Sequence, residues 1–419
     1  MRRRREILEA AGSAALMSAM AITQAQAQTE SLAPAASEAP KHHIRFGVCG
    51  ISHDHIHGMI GALQRGGGEL VSYWGAEPDR LAVFAKRYPN AKQARSQDEV
   101  LHDTSIQLVM SSHIANERAG IGVKAMKAGK DFLADKPGIT TLADLALVRK
   151  TVTETGRIYA ILYSERLEVR AAVHAGELIK QGAIGKVIQT INIAPHQVIQ
   201  RAGDNGGGAP RPAWFWEDVQ YGGILCDIGS HQIDQFLFYT GSTRAEIVAA
   251  QVANLRHPGH PHFQDFGDMM LKGDKGLGYV RLDWFTPAGL GTWGDGRLFV
   301  LGTDGYIEIR KYTNVAVSKQ GNNLFLVDGS ARASSIATTA RCHSGRNSSP
   351  TSWSAPAPPR IRRNACWRRN CPSGRSGAPS APSWQADAWI SKFQHPTPRL
   401  SAAGGRCGWW ARRLDFCLG

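Results

Sequence analysis

The feature that most constrains this chain is an alternation of strand and helix patterns between residues 44 and 163. Ile44-Arg45-Phe46-Gly47-Val48-Cys49-Gly50 is a short apolar strand closed by glycine, and a helix-like Ile56-His57-Gly58-Met59-Ile60-Gly61-Ala62-Leu63 follows it. The pattern then repeats, predicting strands over 69–74, 106–112, 131–134 and 157–163 and helices over 79–88, 117–128 and 142–155. Strands separated by helical crossovers pair in parallel and are covered on both faces. The predicted class is therefore α/β, with an N-terminal doubly wound parallel sheet. Residues 164–185 read as a helix, with Val169, Val173, Leu178 and Ile179 among its apolar positions. Residues 186–330 supply strands with glycine-rich turns. The second domain is predicted to be α+β with an open, largely antiparallel sheet.

Charge decides which partners are plausible. The chain carries a formal +14, yet residues 331–419 alone hold 13 Arg and one Lys against two Asp, which leaves only +2 for the first 330 residues. The body of the protein is thus not a nucleic-acid binder on charge grounds. Six of the 11 Trp and five of the seven Cys also lie in that tail. Disordered tails are poor in both, whereas translation in a shifted frame accounts for them, and GC-rich codons read in the alternative frame restore amphipathic helical patterns. The tail is expected to be disordered and to arise from a frameshift. Cys49 and Cys226, the two remaining cysteines, are expected to be small buried apolar residues in or at strands.

At the other end, Arg2–Arg5 precede a mildly apolar stretch from Ala10 to Ala27 that ends Ala25-Gln26-Ala27. This is an export signal in which Arg4-Arg5-x-Ile7-Leu8 resembles the twin-arginine type, with cleavage expected after Ala27. Residues 28–42 read as a linker. The expected organisation is an export signal at 1–27, a dinucleotide-binding Rossmann domain at 43–163, a substrate and oligomerisation domain at 164–330, and the tail at 331–419. The expected location is periplasmic, without stable membrane insertion.

A dinucleotide site requires a strand, a tight turn and a helix in that order, and residues 44–63 have it. Aligning G-x-G-x-x-G from Gly50 places Ser52 and His55 where the second and third glycines belong, and Gly75 occupies the place of the acidic ribose ligand, with Glu77 two residues on. Ser52 is small and can itself donate to phosphate. The His53, Asp54, His55, His57 cluster invites a metal, but nothing elsewhere completes a ligand set. It is therefore expected to line the turn, with no metal assigned.

Four separated motifs resemble the Gfo/Idh/MocA family of oxidoreductases, the glucose-fructose oxidoreductase and inositol dehydrogenase type. They are Asp135-Lys136-Pro137 at the end of Ala125–Pro137, Gly182-Ala183-Ile184-Gly185-Lys186-Val187, the run Gly222-Gly223…Asp227-x-Gly229-x-His231-x-x-Asp234, and Gly302–Ile309. The resemblance covers about residues 43–329. It implies an NAD(P)-dependent oxidoreductase acting on a sugar or polyol hydroxyl, with Lys136 and His231 acting on that hydroxyl and Asp227 supporting binding or proton relay. The chemistry agrees. Hydride loss from a carbinol needs a base for the O–H proton and a cation for the developing alkoxide, and His and Lys supply them. Asp227 and His231, four apart, share a face on one helical turn, so the carboxylate can orient the imidazole or the substrate hydroxyls.

NAD or NADP is the implied cofactor, with contacts assigned to Gly50, Ser52, His53, His55, Glu77, Ser112, Asp135 and Pro137. Substrate contacts are assigned to His196, Trp214 and Asp234. Asp265, Asp268 and the His257, His260, His262 run are expected in a loop. The implied partner is a small carbohydrate, and an intact chain is expected to form a homo-oligomer. An NAD-dependent glycosidase of the same fold, or a non-catalytic or metal-dependent carbohydrate-binding protein, are the alternatives.

Overall fold

Six strands of the first domain form one parallel sheet, because every connection between neighbours passes through a helix or a long crossover. They are β1 (Ile44–Cys49), β2 (Gly68–Trp74), β3 (Lys92–Gln93), β4 (Leu108–Ser111), β5 (Asp131–Asp135) and β6 (Tyr159–Leu162), in the order β3-β2-β1-β4-β5-β6. The computed structural model describes residues 43–198, 211–317, 319–329 and 332–336, the last of these by backbone alone. The export signal, the linker and the tail beyond 336 lie outside the described residues. No helix among the described residues is long and apolar enough to cross a membrane.

The strands read as continuous apolar runs because alternate residues enter two different cores. Phe46, Val48, Leu108, Met110, Leu133 and Leu162 pack on one face, and Cys49, Val109, Phe132, Ala134, Tyr159 and Ile161 on the other. Burial pushes the Cys49 thiol up to about 12, in keeping with a packing role. Between the predicted helix at 79–88 and strand at 106–112 lie two elements the sequence pattern missed, β3 and the helix Gln97–Leu101. That helix opens with Ser96 accepting from the Glu99 amide at 3.2 Å.

The second sheet has eight strands in the order β14-β13-β12-β11-β7-β10-β9-β8. These are β7 (Val187–Pro195), β8 (Ala245–Ala253), β9 (Phe266–Gly273), β10 (Leu277–Asp283), β11 (Arg297–Gly302), β12 (Gly305–Arg310), β13 (Asn323–Asp328) and β14 (Arg332–Ile336). Only β7 and β10 pair in parallel; the other neighbours are antiparallel. One face packs under the helices Arg170–Lys180 and Gly229–Thr240, using Val280, Leu282, Leu298, Val300, Ile307 and Ile309. The opposite face leaves Ile188, Val248, Met270 and Leu277 exposed.

Several expectations are corrected here. The single helix over 164–185 is two, Ser164–Leu167 and Arg170–Lys180, because Val169 adopts an extended backbone between them. Cys226 lies in the short helix Ile224–Asp227 rather than a strand. Asp268 is in β9, not a loop. β14 extends the sheet past residue 330, since edge pairing to β13 uses backbone groups that composition does not report.

The helix Arg118–Lys127 sits so close to the first sheet that a Cβ on Gly122 would stand 2.3 Å from Tyr159 Cε2 and 2.6 Å from Phe132 Cδ1. Gly122→Ala is therefore expected to destabilise the first domain by about 1–3 kcal/mol through overpacking. A lowered urea midpoint with unchanged m checks it, and an unchanged midpoint would refute the close fit.

Candidate active site

The strand order reverses between β1 and β4, and at such a point a crevice opens beyond the carboxyl ends of the strands. Three backbone hydrogen bonds fix its floor: Gly50 N–H to Trp74 O at 2.8 Å, Ser112 N–H to Gly50 O at 3.2 Å, and His53 N–H to Ser112 O at 3.0 Å. Gly50 has φ +96°, and a Cβ there would strike His113 Cβ at 2.4 Å, so glycine is required twice over. The helix His55–Arg65 then begins after Asp54, whose carboxylate is paired with Arg80 at 2.8 Å, and has no acidic residue in its first turn, so its N-terminal amides remain suited to an anion.

The other fingerprint positions have been put to different use. Ser52 is buried, and its hydroxyl is shared with His113 Nδ1 at 2.7 Å, so it does not face a phosphate as expected. Ser112 Oγ donates to His53 O at 2.7 Å and shapes the turn. His55, in the place of the third glycine, turns its Nδ1 to Asp135 Oδ1 at 3.0 Å. Glu77 is the N-cap position of the next helix, Pro78–Arg87, and its Oε2 is buried without a hydrogen-bond partner among the described residues. Ribose hydroxyls are donors that would complete that orphaned acceptor. The Gly50 cradle, the open helix end and Glu77 thus fit a dinucleotide, while Ser52 contributes only through the turn.

β5 ends in Asp135, and the loop that carries Lys136 and Pro137 is held by one buried guanidinium. Arg118, 1% exposed, donates to the carbonyls of His113 (2.7 Å), Asp135 (3.2 Å), Lys136 (2.6 Å) and Pro137 (3.1 Å). It also pairs with the Asp135 carboxylate at 3.3 Å. The Lys136–Pro137 peptide is cis. Burial alone would disfavour an ionised Asp135, but the charges of His55 and Arg118 outweigh it and hold the carboxyl well below the usual range.

Lys136 Nζ reaches across to Asp227 Oδ1 at 2.8 Å, and both groups are buried. Asp227 ends the helix Ile224–Asp227, while His231 lies in the next helix, Gly229–Thr240. Ile228 between them keeps helical dihedrals, so the two lie on one helical path, and the Asp227 carboxylate makes its contact with the other domain. Burial works against the Asp227 anion, and the Lys136 ammonium overrides it and keeps the carboxyl below its ordinary value. Burial pushes His231 down to about 3, with the Lys136 charge adding and the Glu165 charge opposing. His196 is pushed to about 4 by the same burial, between the Trp284 and Trp293 rings. Both imidazoles are therefore neutral near pH 7, and both lie within electrostatic reach of Lys136.

Trp214 borders the turn, its ring centroid 6.2 Å from that of His53. Asp234 does not join the site. Its carboxylate takes Arg166 in a two-point pair at 2.6 and 2.9 Å, which occupies the oxygens assigned to a substrate. His257 bonds Asp265 at 2.9 Å and Asp265 also accepts from the Leu255 and Arg256 amides, a loop staple remote in role from the crevice. The sequence missed Arg118, Glu165 and Lys311. Each is a buried charge whose partner is distant in the chain, and no spacing pattern signals it.

The His cluster does gain a carboxylate that the sequence could not place: ligand atoms of His53, His55 and Asp135 lie within 4.8 Å of one another. Yet Asp135 is already paired with Arg118, and Arg211 Nη1 stands 3.4 Å from His53 Nε2. Two guanidiniums at the same point oppose a cation.

The profile of the GFO/IDH/MocA C-terminal domain matches residues 172–308. A crystal structure of a putative oxidoreductase from Erwinia carotovora atroseptica is 44% identical, covers 72% of this chain and 89% of its own, and superposes with a TM-score of 0.69. Levoglucosan dehydrogenase, solved with NADH and levoglucosan, shares the fold at 17% identity and a TM-score of 0.59, over 70% of this chain and 80% of that one. The 1,5-anhydro-D-fructose reductase of Ensifer adhaerens is 27% identical over 212 residues, 49% of this chain. The chain spans 59% of that relative's length, and smaller shares of other curated relatives. With a parallel six-stranded sheet feeding a mixed eight-stranded one and these matches on both, the chain belongs to the GFO/IDH/MocA family of oxidoreductases.

Proposed function

We propose that this protein transfers hydride between a sugar or polyol carbinol and NAD or NADP, with Lys136 and His231 handling the hydroxyl proton. The observation that carries the proposal is the Lys136–Asp227 contact, which fixes an amine of the nucleotide lobe against the second lobe, within electrostatic reach of the buried, neutral His231. A bound nicotinamide supplies the hydride acceptor or donor. The remaining chemistry belongs to the chain. Gly50 and the start of the helix His55–Arg65 would hold the phosphates, and Glu77 the ribose. Neutral His231 takes the O–H proton, and the Lys136 ammonium stabilises the alkoxide that forms, at an orientation set by Asp227 below and Arg118 behind. The rings of Trp284 and Trp293 around His196 offer apolar walls for a sugar face. The activity of levoglucosan dehydrogenase and of the anhydrofructose reductase supports a carbohydrate substrate.

Export through the twin-arginine route to the periplasm, the frameshift origin of the tail, and self-association of an intact chain are proposals of the same standing. Arg4→Lys with Arg5→Lys should retain the protein in the cytoplasm on fractionation; continued export would overturn that route. Sequencing the gene decides the frameshift.

Denaturing the purified protein should release material with nicotinamide absorbance, or titration with NAD and NADP should quench tryptophan fluorescence. The absence of both would exclude the dinucleotide. Lys136→Ala should lower kcat/KM by roughly 10²–10⁴-fold, and His231→Asn by a similar factor, with dinucleotide affinity retained. Because the folded His231 is pushed below its ordinary value, its proton-accepting form persists as pH falls. The kcat/KM for oxidation should therefore stay level from neutrality to about pH 5, and an acid limb centred at an ordinary imidazole value would contradict the buried assignment.

A further inference from the structure

Glu165 lies in the short helix that follows β6 and is almost fully buried, 3% exposed. Its Oε2 is crowded with donors: Lys311 Nζ at 2.5 Å, Gln232 Nε2 at 3.1 Å and Gln235 Nε2 at 3.5 Å. Its Oε1 is buried and has none among the described residues. On the helix Gly229–Thr240, His231 is the complement, since its Nδ1 is buried without a partner among the described residues. Gln235 joins the two groups, donating to His231 O at 2.9 Å as well as approaching Glu165. An anionic acceptor and an imidazole N–H, both withdrawn from water and both unpaired, are each other's natural complement.

We propose that Glu165 is the positioning residue for His231, its Oε1 accepting from His231 Nδ1–H through one water, both before and during substrate binding. This deepens the hydride-transfer assignment and rests on it. Holding the proton on Nδ1 leaves Nε2 bare to take the substrate O–H proton. The imidazolium so formed then keeps both protons, one shared with Glu165, until the reverse step or solvent removes one; hydride goes to the nicotinamide, so no further oxidant is needed. Lys311 neutralises the carboxylate while His231 is uncharged, which allows a buried anion to wait beside a neutral base. Burial disfavours the ionised Glu165, and the Lys311 charge, then His231 and His196, outweigh it and hold the carboxyl well below its ordinary range. The groups facing His231 are Glu165, Lys136, Lys311 and His55, together with the Tyr163 ring at 5.8 Å. Of these only Glu165 favours the imidazolium.

The test uses the full chain in four variants: Glu165→Gln, Glu165→Asp, Glu165→Gln with Lys311→Met, and Glu165→Gln with His231→Asn. Glu165→Gln should lower kcat for oxidation ~10- to 100-fold with KM changed less than about threefold. Glu165→Asp should recover part of the loss, as a retained charge predicts. The Lys311→Met double variant removes both buried charges, so it should fold where Glu165→Gln alone leaves Lys311 unpaired, and it should be as slow. In the His231→Asn background Glu165→Gln should cost nothing more. Full activity in the folded double variant, or independent losses in the cycle, would overturn the proposal. Nitrogen-15 spectra of labelled histidine separate this failure from failure of the enzymatic assignment. His231 should hold the Nδ1–H tautomer in the wild type and lose it in Glu165→Gln whether or not turnover is found. A tautomer indifferent to Glu165 would sink the proposal even in an active enzyme.

Discussion

The ion pair between Lys136 and Asp227 is the constraint around which the rest of the site is arranged. It joins the end of a strand in the parallel sheet to a short helix of the second domain, across 91 residues of sequence. Taking two charges out of water costs more than their attraction alone returns, so such a pair persists only when geometry and neighbours hold it. Here the neighbours are explicit. Arg118 grips the Lys136 carbonyl from behind, and the burial of Asp227 leaves its carboxylate little alternative to the ammonium.

Beside it, Arg118–Asp135, Arg166–Asp234 and Lys311–Glu165 repeat the arrangement, cation against anion out of water. The consequence is local neutrality in a region dense with charge. What is left to act on a ligand is the set of groups these pairs do not exhaust, above all the uncharged rings of His196 and His231. Where His53, His55 and Asp135 converge, the guanidiniums of Arg211 and Arg118 add positive charge that works against a cation.

How much of this was legible in the chain depends on whether a signal was local. The parallel sheet was, since Phe46 to Cys49 and Phe132 to Ala134 are apolar at consecutive positions, as strands buried on both faces must be. β3, two residues long, is too short to have a pattern. Lys136 and His231 stood out through motif resemblance, but the partner of Asp227 did not. The spacing to His231 suggested a shared helical face, which carries no sign of Lys136, 91 residues away, as the partner of that carboxylate. Asp234 looked like a ligand because Arg166, 68 residues earlier, is invisible as its partner until the chain is folded. Ser52 looked like a phosphate donor for the same reason, His113 being 61 residues away. Buried polar groups are chosen by three-dimensional neighbours, and a linear pattern has no access to them.

The Arg118 clamp has one more consequence. Every carbonyl it holds belongs to the nucleotide lobe, so the backbone that carries Lys136 is set before the second lobe contributes anything. Side chains on the eight-stranded sheet can accordingly be exchanged to admit ligands of new shape while the amine stays at its post. A scaffold divided in this way keeps its chemistry constant and varies its diet.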